Sequence, residues 1–556
     1  MRSWQKLISN VFIITVILYS YWGIWNIFFQ QDEWLGLGGA IYRQETFGTL
    51  GSIAQVFNFQ NVNESLRFLP ITSISNHLLY SNFGINIPIY GLLALTIVAI
   101  CALIFNQIVY KLTSSHLLSI MSSVLWVTNN LAYQAFTWIA TMMPSLLTTL
   151  FFLSSLYLLL IYNERKKNFY LISSILLMVL SLFSKESSVY YIVTYSAIIW
   201  FFFKRKFATR EKIKLTALFF IPLTISLILP RIISLSFHQN NFFPSINSAD
   251  QTETIYNFFL IPARSLFHIY FSQPDIYEFV YAANKIHYSS QTNGYVVESI
   301  IADAFSLLAA FYFLLAFFVV ALFAKVKDRK VMCLSLVSFF ASTLPFIFFK
   351  NDAAILETRF YIFPAMWAAL LLSLLVYVLF SRIPKARNLL MFLVFIPVVF
   401  YNILGTHKHL RQDILTGQYR NGILDTISEV RPAMRNNNVF YLYTENNGFY
   451  EFQSGFGQTL AVWLYDTGKI SKETLIDRNY WDLSYEGIKT YPRGKFGYFM
   501  TYVKLRQGLK DNPDITINQV FSFYWDPQKH SVKNVTEEIR EKLKKDTSNE
   551  KISHQI

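Results

Sequence analysis

Two adjacent carboxylates, Asp32 and Glu33, stand directly after the apolar run Val11 to Phe29, which is long enough to cross a bilayer. They emerge at a membrane surface, where charge is costly and usually purposeful. Four further segments set polar groups into otherwise apolar sequence. These are Arg67-Phe-Leu-Pro70 ahead of Tyr80 to Pro88, Ala132 to Ala140 with Trp138, Ser184-Lys185-Glu186, and Glu357-Thr-Arg359-Phe-Tyr361-Ile-Phe-Pro364. Carboxylates are the side chains that accept protons, and Lys and Arg are those that hold an oxyanion. Each segment also has a structural reading: a polar span end for Asp32-Glu33, a self-neutralising hairpin pair for Lys185-Glu186, a snorkelling cation for Arg359 and an aromatic belt for Trp138.

The elements that must position these groups are membrane spans. Of 556 residues, 53% are hydrophobic and 15% charged, which excludes one large water-soluble core and indicates a polytopic membrane protein. The spanning requirement of about 20 residues selects apolar runs near 8–29, 87–110, 117–131, 142–162, 169–184, 188–203, 214–236, 299–324, 331–349, 359–380 and 388–405. The expected fold is a membrane all-α bundle of about 11 transmembrane helices. Its first and fourth external loops are large, and a C-terminal extracytoplasmic α/β domain follows it.

Charge orients the bundle. The formal net charge of +14 collects in alternate short loops: Arg2/Lys6, Lys111, Arg165 to Lys167, Lys204 to Lys214, Lys325 to Lys330 and Arg382 to Arg387. That is the positive-inside pattern, so these loops are cytoplasmic and no nucleic-acid partner is expected. The alternation holds when Ile255 to Ser272, with Pro262, Arg264 and His268 among its aromatics, lies in the outer interface instead of crossing. Asp32, Arg67, Trp138, Lys185 and Arg359 then share the external face, where cations run against the bias unless they have a task. The first run lacks a small-residue cleavage site and reads as an uncleaved span of a cell-membrane protein with a cytoplasmic N-terminus. Cys101 and Cys333 fall in apolar runs and read as small hydrophobes.

After Leu404 the apolar runs shorten. The expected domains are 1–405 in the membrane, 406–545 as an extracytoplasmic α/β domain and 546–556 as a disordered tail. Within the second, Leu410 to Met434 reads as helix, Asn438 to Tyr443 as strand and Val535 to Lys545 as a charged helix. No tetratricopeptide-like period is present.

The order and spacing of the polar segments resemble the GT-C class of polytopic glycosyltransferases, closest to the protein O-mannosyltransferase and transmembrane O-mannosyltransferase branch, without a tetratricopeptide array. The resemblance is carried by Asp32-Glu33, Arg67 to Pro70 leading to Phe83-Gly84 and Pro88, Ala135 to Ala140, Ser184 to Glu186, and Glu357 to Pro364. It implies inverting transfer of a sugar from a polyprenyl-phosphate donor to an acceptor hydroxyl on a protein, lipid or polysaccharide at the outer face of the bilayer. It implies Asp32 as general base with Glu33 in support, and Arg359, Lys185 and Arg67 as the cations on the donor phosphate. Trp138, Glu186, Glu357 and Tyr361 are then expected to shape the substrate pocket. A divalent metal is compatible with the hard oxygen ligands, but no spacing demands one, and no cofactor is assigned. A transporter, or a non-catalytic scaffold displaying the C-terminal domain, are the alternatives. Along an extended chain the side chains of Asp32 and Glu33 would point to opposite sides.

Overall fold

The computed structural model describes residues 3–29, 32–57, 68–203, 207–238, 251–267, 300–347, 358–445, 456–465, 468, 470–477, 486–526, 528–529 and 531–553. The chain forms two compact units, each discontinuous in sequence. The first comprises Met1–Ile24, Val56–Ser73 and Tyr90–Leu410, and the second Trp25–Gln55, Ile74–Ile89 and Arg411–Ile556.

The first unit is helical. Among the described residues seven helices are long and apolar enough to cross a membrane: Trp4–Asn26, Ile87–Thr113, Ile139–Arg165, Thr209–Leu229, Ser306–Phe323, Arg359–Arg382 and Arg387–Ala433. His116–Val127, Asn168–Leu182 and Ser187–Phe202 are apolar but shorter. Burial ranks these helices. Ile362–Leu379 is apolar all round and buried along nearly its whole length, the pattern of a helix packed on every side. Ile300–Phe323 instead exposes Phe311, Tyr312, Phe318 and Leu322, an apolar surface suited to lipid.

Small hydroxyl residues line the packing of one helix pair. Lys166 turns the chain in a left-handed conformation with φ 54°, and Ile139–Arg165 then packs against Asn168–Leu182. The hydroxyl of Ser155 donates to the Ser174 carbonyl at 2.6 Å and that of Ser174 to the Ser155 carbonyl at 2.8 Å. Thr148 and Ser181 repeat the exchange at 3.1 and 2.9 Å. Short side chains let the backbones approach, and reciprocal bonds satisfy the hydroxyls there.

Two helices differ in detail from the sequence-based expectation. Gln251–Phe267 is continuous through Pro262 and buries Asn257, Arg264 and Ser265 together with Leu260, Ile261 and Leu266, while Ile255, Phe258 and Phe259 are exposed. Asn257 donates its side-chain amide to the Ile347 carbonyl at 3.3 Å. Arg387–Ser428 is one helix of 42 residues, about 63 Å at 1.5 Å per residue, and so runs unbroken through the composition change at 405–410. Its length is twice the roughly 30 Å hydrocarbon thickness, which explains why its first half is apolar and its second half polar.

The second unit carries a five-stranded sheet in the order β2-β3-β1-β4-β5. Its strands are β1 Asn438–Tyr443, β2 Gly487–Tyr491, β3 Gly494–Phe499, β4 Val520–Asp526 and β5 Ser531–Asn534. β1 runs parallel to both β3 and β4, while β2 and β5 close the edges as antiparallel hairpin partners. A strand central to such a sheet must be apolar on both faces, and β1 is. Val439 and Tyr441 join Phe499, Leu505, Ile539 and Leu543 in one core, while the Phe440 ring lies 5.8 Å from Phe496 and 5.9 Å from Phe521. The Tyr502–Asp511 helix makes the crossover from β3 to β4, and the terminal helix runs from Thr536 to Ser553, past the Lys545 end expected from the sequence.

Candidate functional site

In the first unit three interruptions of apolar helix, remote in sequence, meet around Phe360. Trp138 is extended (φ −79°, ψ 105°) between helices Tyr133–Thr137 and Ile139–Arg165. Its carbonyl takes up the freed donors of the second helix, accepting from Thr141 N at 3.0 Å and Met142 N at 2.8 Å. Lys185 is extended (φ −157°) ahead of the 3-10 turn Glu186–Tyr190. Arg359 belongs to the 3-10 turn Thr358–Tyr361, which leads directly into Ile362–Leu379.

The half-buried Arg359 guanidinium lies 4.7 Å from the Trp138 ring centroid and 5.1 Å from that of Phe360. The Lys185 ammonium lies 6.0 Å from the same Phe360 ring and donates to the Ser145 hydroxyl at 2.9 Å. Two cations thus share one aromatic ring in a partly desolvated setting, where cation–π attraction and any arriving anion are both worth more than in water. A guanidinium is a planar fork whose chemistry suits a bidentate oxyanion.

The remaining predicted residues fall as follows. Tyr361 is 3% exposed and packs with Leu131, Ile261, Phe346 and Ile347, so its ring belongs to an apolar core. Glu186 opens its 3-10 turn. Arg67 and Glu357 lie outside the described residues. The chain just after Arg67 is held to the Ser184 turn: Thr72 donates its hydroxyl to the Ser184 carbonyl at 2.6 Å, Ile71 N to the Phe183 carbonyl at 3.3 Å, and the Phe68 ring stands 5.9 Å from Phe183.

Asp32 and Glu33 belong to the second unit, where they open the helix Asp32–Val56. They are therefore helical and not extended, about 100° apart around the axis, and acids in a first turn are favoured by the helix dipole. Glu33 is 1% exposed. The following Trp34 is fully buried among Phe28, Phe29 and Trp463, with ring centroids 5.8, 5.4 and 6.2 Å away. Gly38 permits close packing here, since a Cβ at that position would stand 2.6 Å from the Gln458 amide nitrogen and 2.8 Å from the Leu475 carbonyl. Further along the helix, burial and then Glu45 hold the Tyr465 phenol above its usual range.

Sequence reasoning missed Ser145 and Phe360. Phe360 is one of 53 phenylalanines, and Ser145 carries no local signal beyond following Pro144. Among the described residues no three His, Cys, Asp or Glu side chains converge as metal ligands. No protein-family model matches the chain, and no curated protein matches it in sequence.

Proposed function

We propose that this chain is an inverting GT-C-type glycosyltransferase that moves a sugar from a polyprenyl-phosphate donor to an acceptor hydroxyl at the outer face of the cell membrane. The observation that carries the reading is the convergence of Arg359 and Lys185 on Phe360 at helix interruptions. A departing phosphate gains negative charge, and prepositioned cations lower the barrier to its departure. Arg359, Lys185 and Arg67 receive that phosphate, and the Trp138 ring, 4.7 Å from the Arg359 guanidinium, helps to place it. The acceptor oxygen attacks the anomeric carbon, the bond from that carbon to the phosphate oxygen breaks, and the hydroxyl proton passes to Asp32. Glu33, being buried, orients its neighbour and the helix start.

The same reading takes all eleven apolar runs as spans, with a cytoplasmic N-terminus and the sheet-bearing unit outside. The seven long and three shorter apolar helices support it. Membranes carrying the full chain should consume one member of a panel of radiolabelled polyprenyl-phosphate sugars, and Asp32→Asn should abolish consumption while inserting normally. Unchanged turnover by Asp32→Asn sinks the base assignment. The helix broken at Trp138 supports a second reading, a transporter with a discontinuous span; solute flux into proteoliposomes without any lipid-linked donor would replace the enzyme reading.

A further inference from the structure

Ser145 is fully buried in the helix Ile139–Arg165, which begins directly after Trp138. The Lys185 ammonium donates to its hydroxyl at 2.9 Å. The Lys185 backbone is held to the same helix at one remove. Its N–H donates to the Ser181 carbonyl at 3.4 Å, and Ser181 bonds Thr148, three residues beyond Ser145 and so on the same helix face. From the following turn, Ser188 donates its N–H and its hydroxyl to the Lys185 carbonyl at 3.2 and 2.7 Å. Hydrogen bonds thus fix both ends of this lysine, its backbone and its charged head.

One helix therefore meets two cations of the proposed phosphate site. Trp138, at its N-terminal cap, stands beside the Arg359 guanidinium. Ser145, about 10 Å farther along the axis at 1.5 Å per residue, holds the Lys185 ammonium. Arg359 and Lys185 meet again at the ring of Phe360. A lysine head is a compact point charge on a flexible four-carbon stem, so its place is set by what it bonds. A hydroxyl is neutral and fixes that head without cancelling its charge, as a carboxylate would.

We propose that Ser145 is a positioning residue for Lys185: it sets where the ammonium stands relative to Arg359, and so where positive charge awaits the departing phosphate. Placement matters because a charge displaced by about 1 Å loses much of its effect on the transition state. The inference rests on the transferase reading and adds to it a residue that acts only through Lys185. A serine that merely stabilised the fold would slow transfer whether or not Lys185 were present. One that positions Lys185 has no effect once the lysine is gone.

The test is a double-mutant cycle on the full chain in nanodiscs, read by single-turnover consumption of the labelled polyprenyl-phosphate sugar that the unsubstituted protein uses. Ser145→Ala should lower the rate about tenfold, the size of one hydrogen bond to a charged group. The half-saturating donor concentration should stay within about threefold, since the loss falls on charge that develops during departure. Ser145→Thr, which restores the hydroxyl, should bring the rate back to within about threefold of the unsubstituted protein. In a Lys185→Ala background, Ser145→Ala should change nothing further. An unchanged rate in Ser145→Ala, no recovery in Ser145→Thr, or a further tenfold fall in the Lys185→Ala background overturns the positioning role and leaves the transferase reading standing. An unsubstituted protein that consumes no donor overturns both. Should Ser145→Ala fail to fold, Ser145→Cys replaces it in the cycle under the same criteria, because a thiol is only a weak acceptor.

Discussion

Arg359 touches two rings, and that geometry separates it from any other cation at the position. Lysine keeps the charge but loses the planar, two-pronged guanidinium beside Trp138. Arg359→Lys is therefore expected to lower sugar transfer by about 10- to 100-fold, a loss of the size seen when one preorganised donor is removed. Single-turnover consumption of the labelled donor measures it, and an unchanged rate removes Arg359 from the phosphate site. His77 permits a pH prediction. Its folded pKa lies below the unfolded value because burial and Arg43 disfavour the imidazolium, so the unfolded chain binds the extra proton first. Stability is then complete above the unfolded value of about 6.5 and declines as pH falls through the folded pKa. Thermal unfolding in detergent between pH 7.5 and 5 should show this slope, and His77→Phe should flatten it.

At the scale of elements, close approach depends on residues that lack bulk. A Cβ at Gly36 would press on the Tyr80 ring at 2.6 Å, and Tyr80 is itself buried, so the ring has little room to yield. Gly36→Ala should cost about 1–3 kcal/mol, as overpacking does, and lower the unfolding temperature; Gly422→Ala, where nothing lies within 4 Å, serves as the control. The reciprocal hydroxyl bonds between Ile139–Arg165 and Asn168–Leu182 make a second case. Thr148→Val removes the donation of the Thr148 hydroxyl to the Ser181 carbonyl at roughly constant volume, keeps the bond from Ser181 to the carbonyl of residue 148, and should destabilise by about 0.6–2 kcal/mol. Apolar run length predicted where these helices fall. It could not predict the break at Trp138, because Tyr-Gln-Ala-Phe-Thr-Trp-Ile contains neither Gly nor Pro, and the break is stabilised by Thr141 and Met142 bonding back to the Trp138 carbonyl.

Across the whole molecule, the proposed topology places the loop Lys325–Lys330 inside and the sheet-bearing unit outside. In a Cys333→Ser background, with Cys101 buried, a cysteine replacing the exposed Lys529 should react with a membrane-impermeant maleimide in intact cells. One replacing the exposed Lys327 should react only after lysis. The reverse pattern inverts the topology and removes Asp32 from the outer face.

What the chain's linear order determined by itself was whatever depends on neighbours in sequence. Apolar run length set the helices, the distribution of Lys and Arg suggested an orientation, and the run Asn438–Tyr443 read as a strand. Tertiary structure alone decided which distant segments meet. Phe360 draws Lys185 and Arg359 together, β1 pairs with β3 and β4 while β2 is left at the edge, and residues 25–55 and 74–89 join the unit that follows Leu410. Hydropathy and backbone propensity act over a few residues, whereas these pairings depend on which surfaces bury one another once the chain has folded.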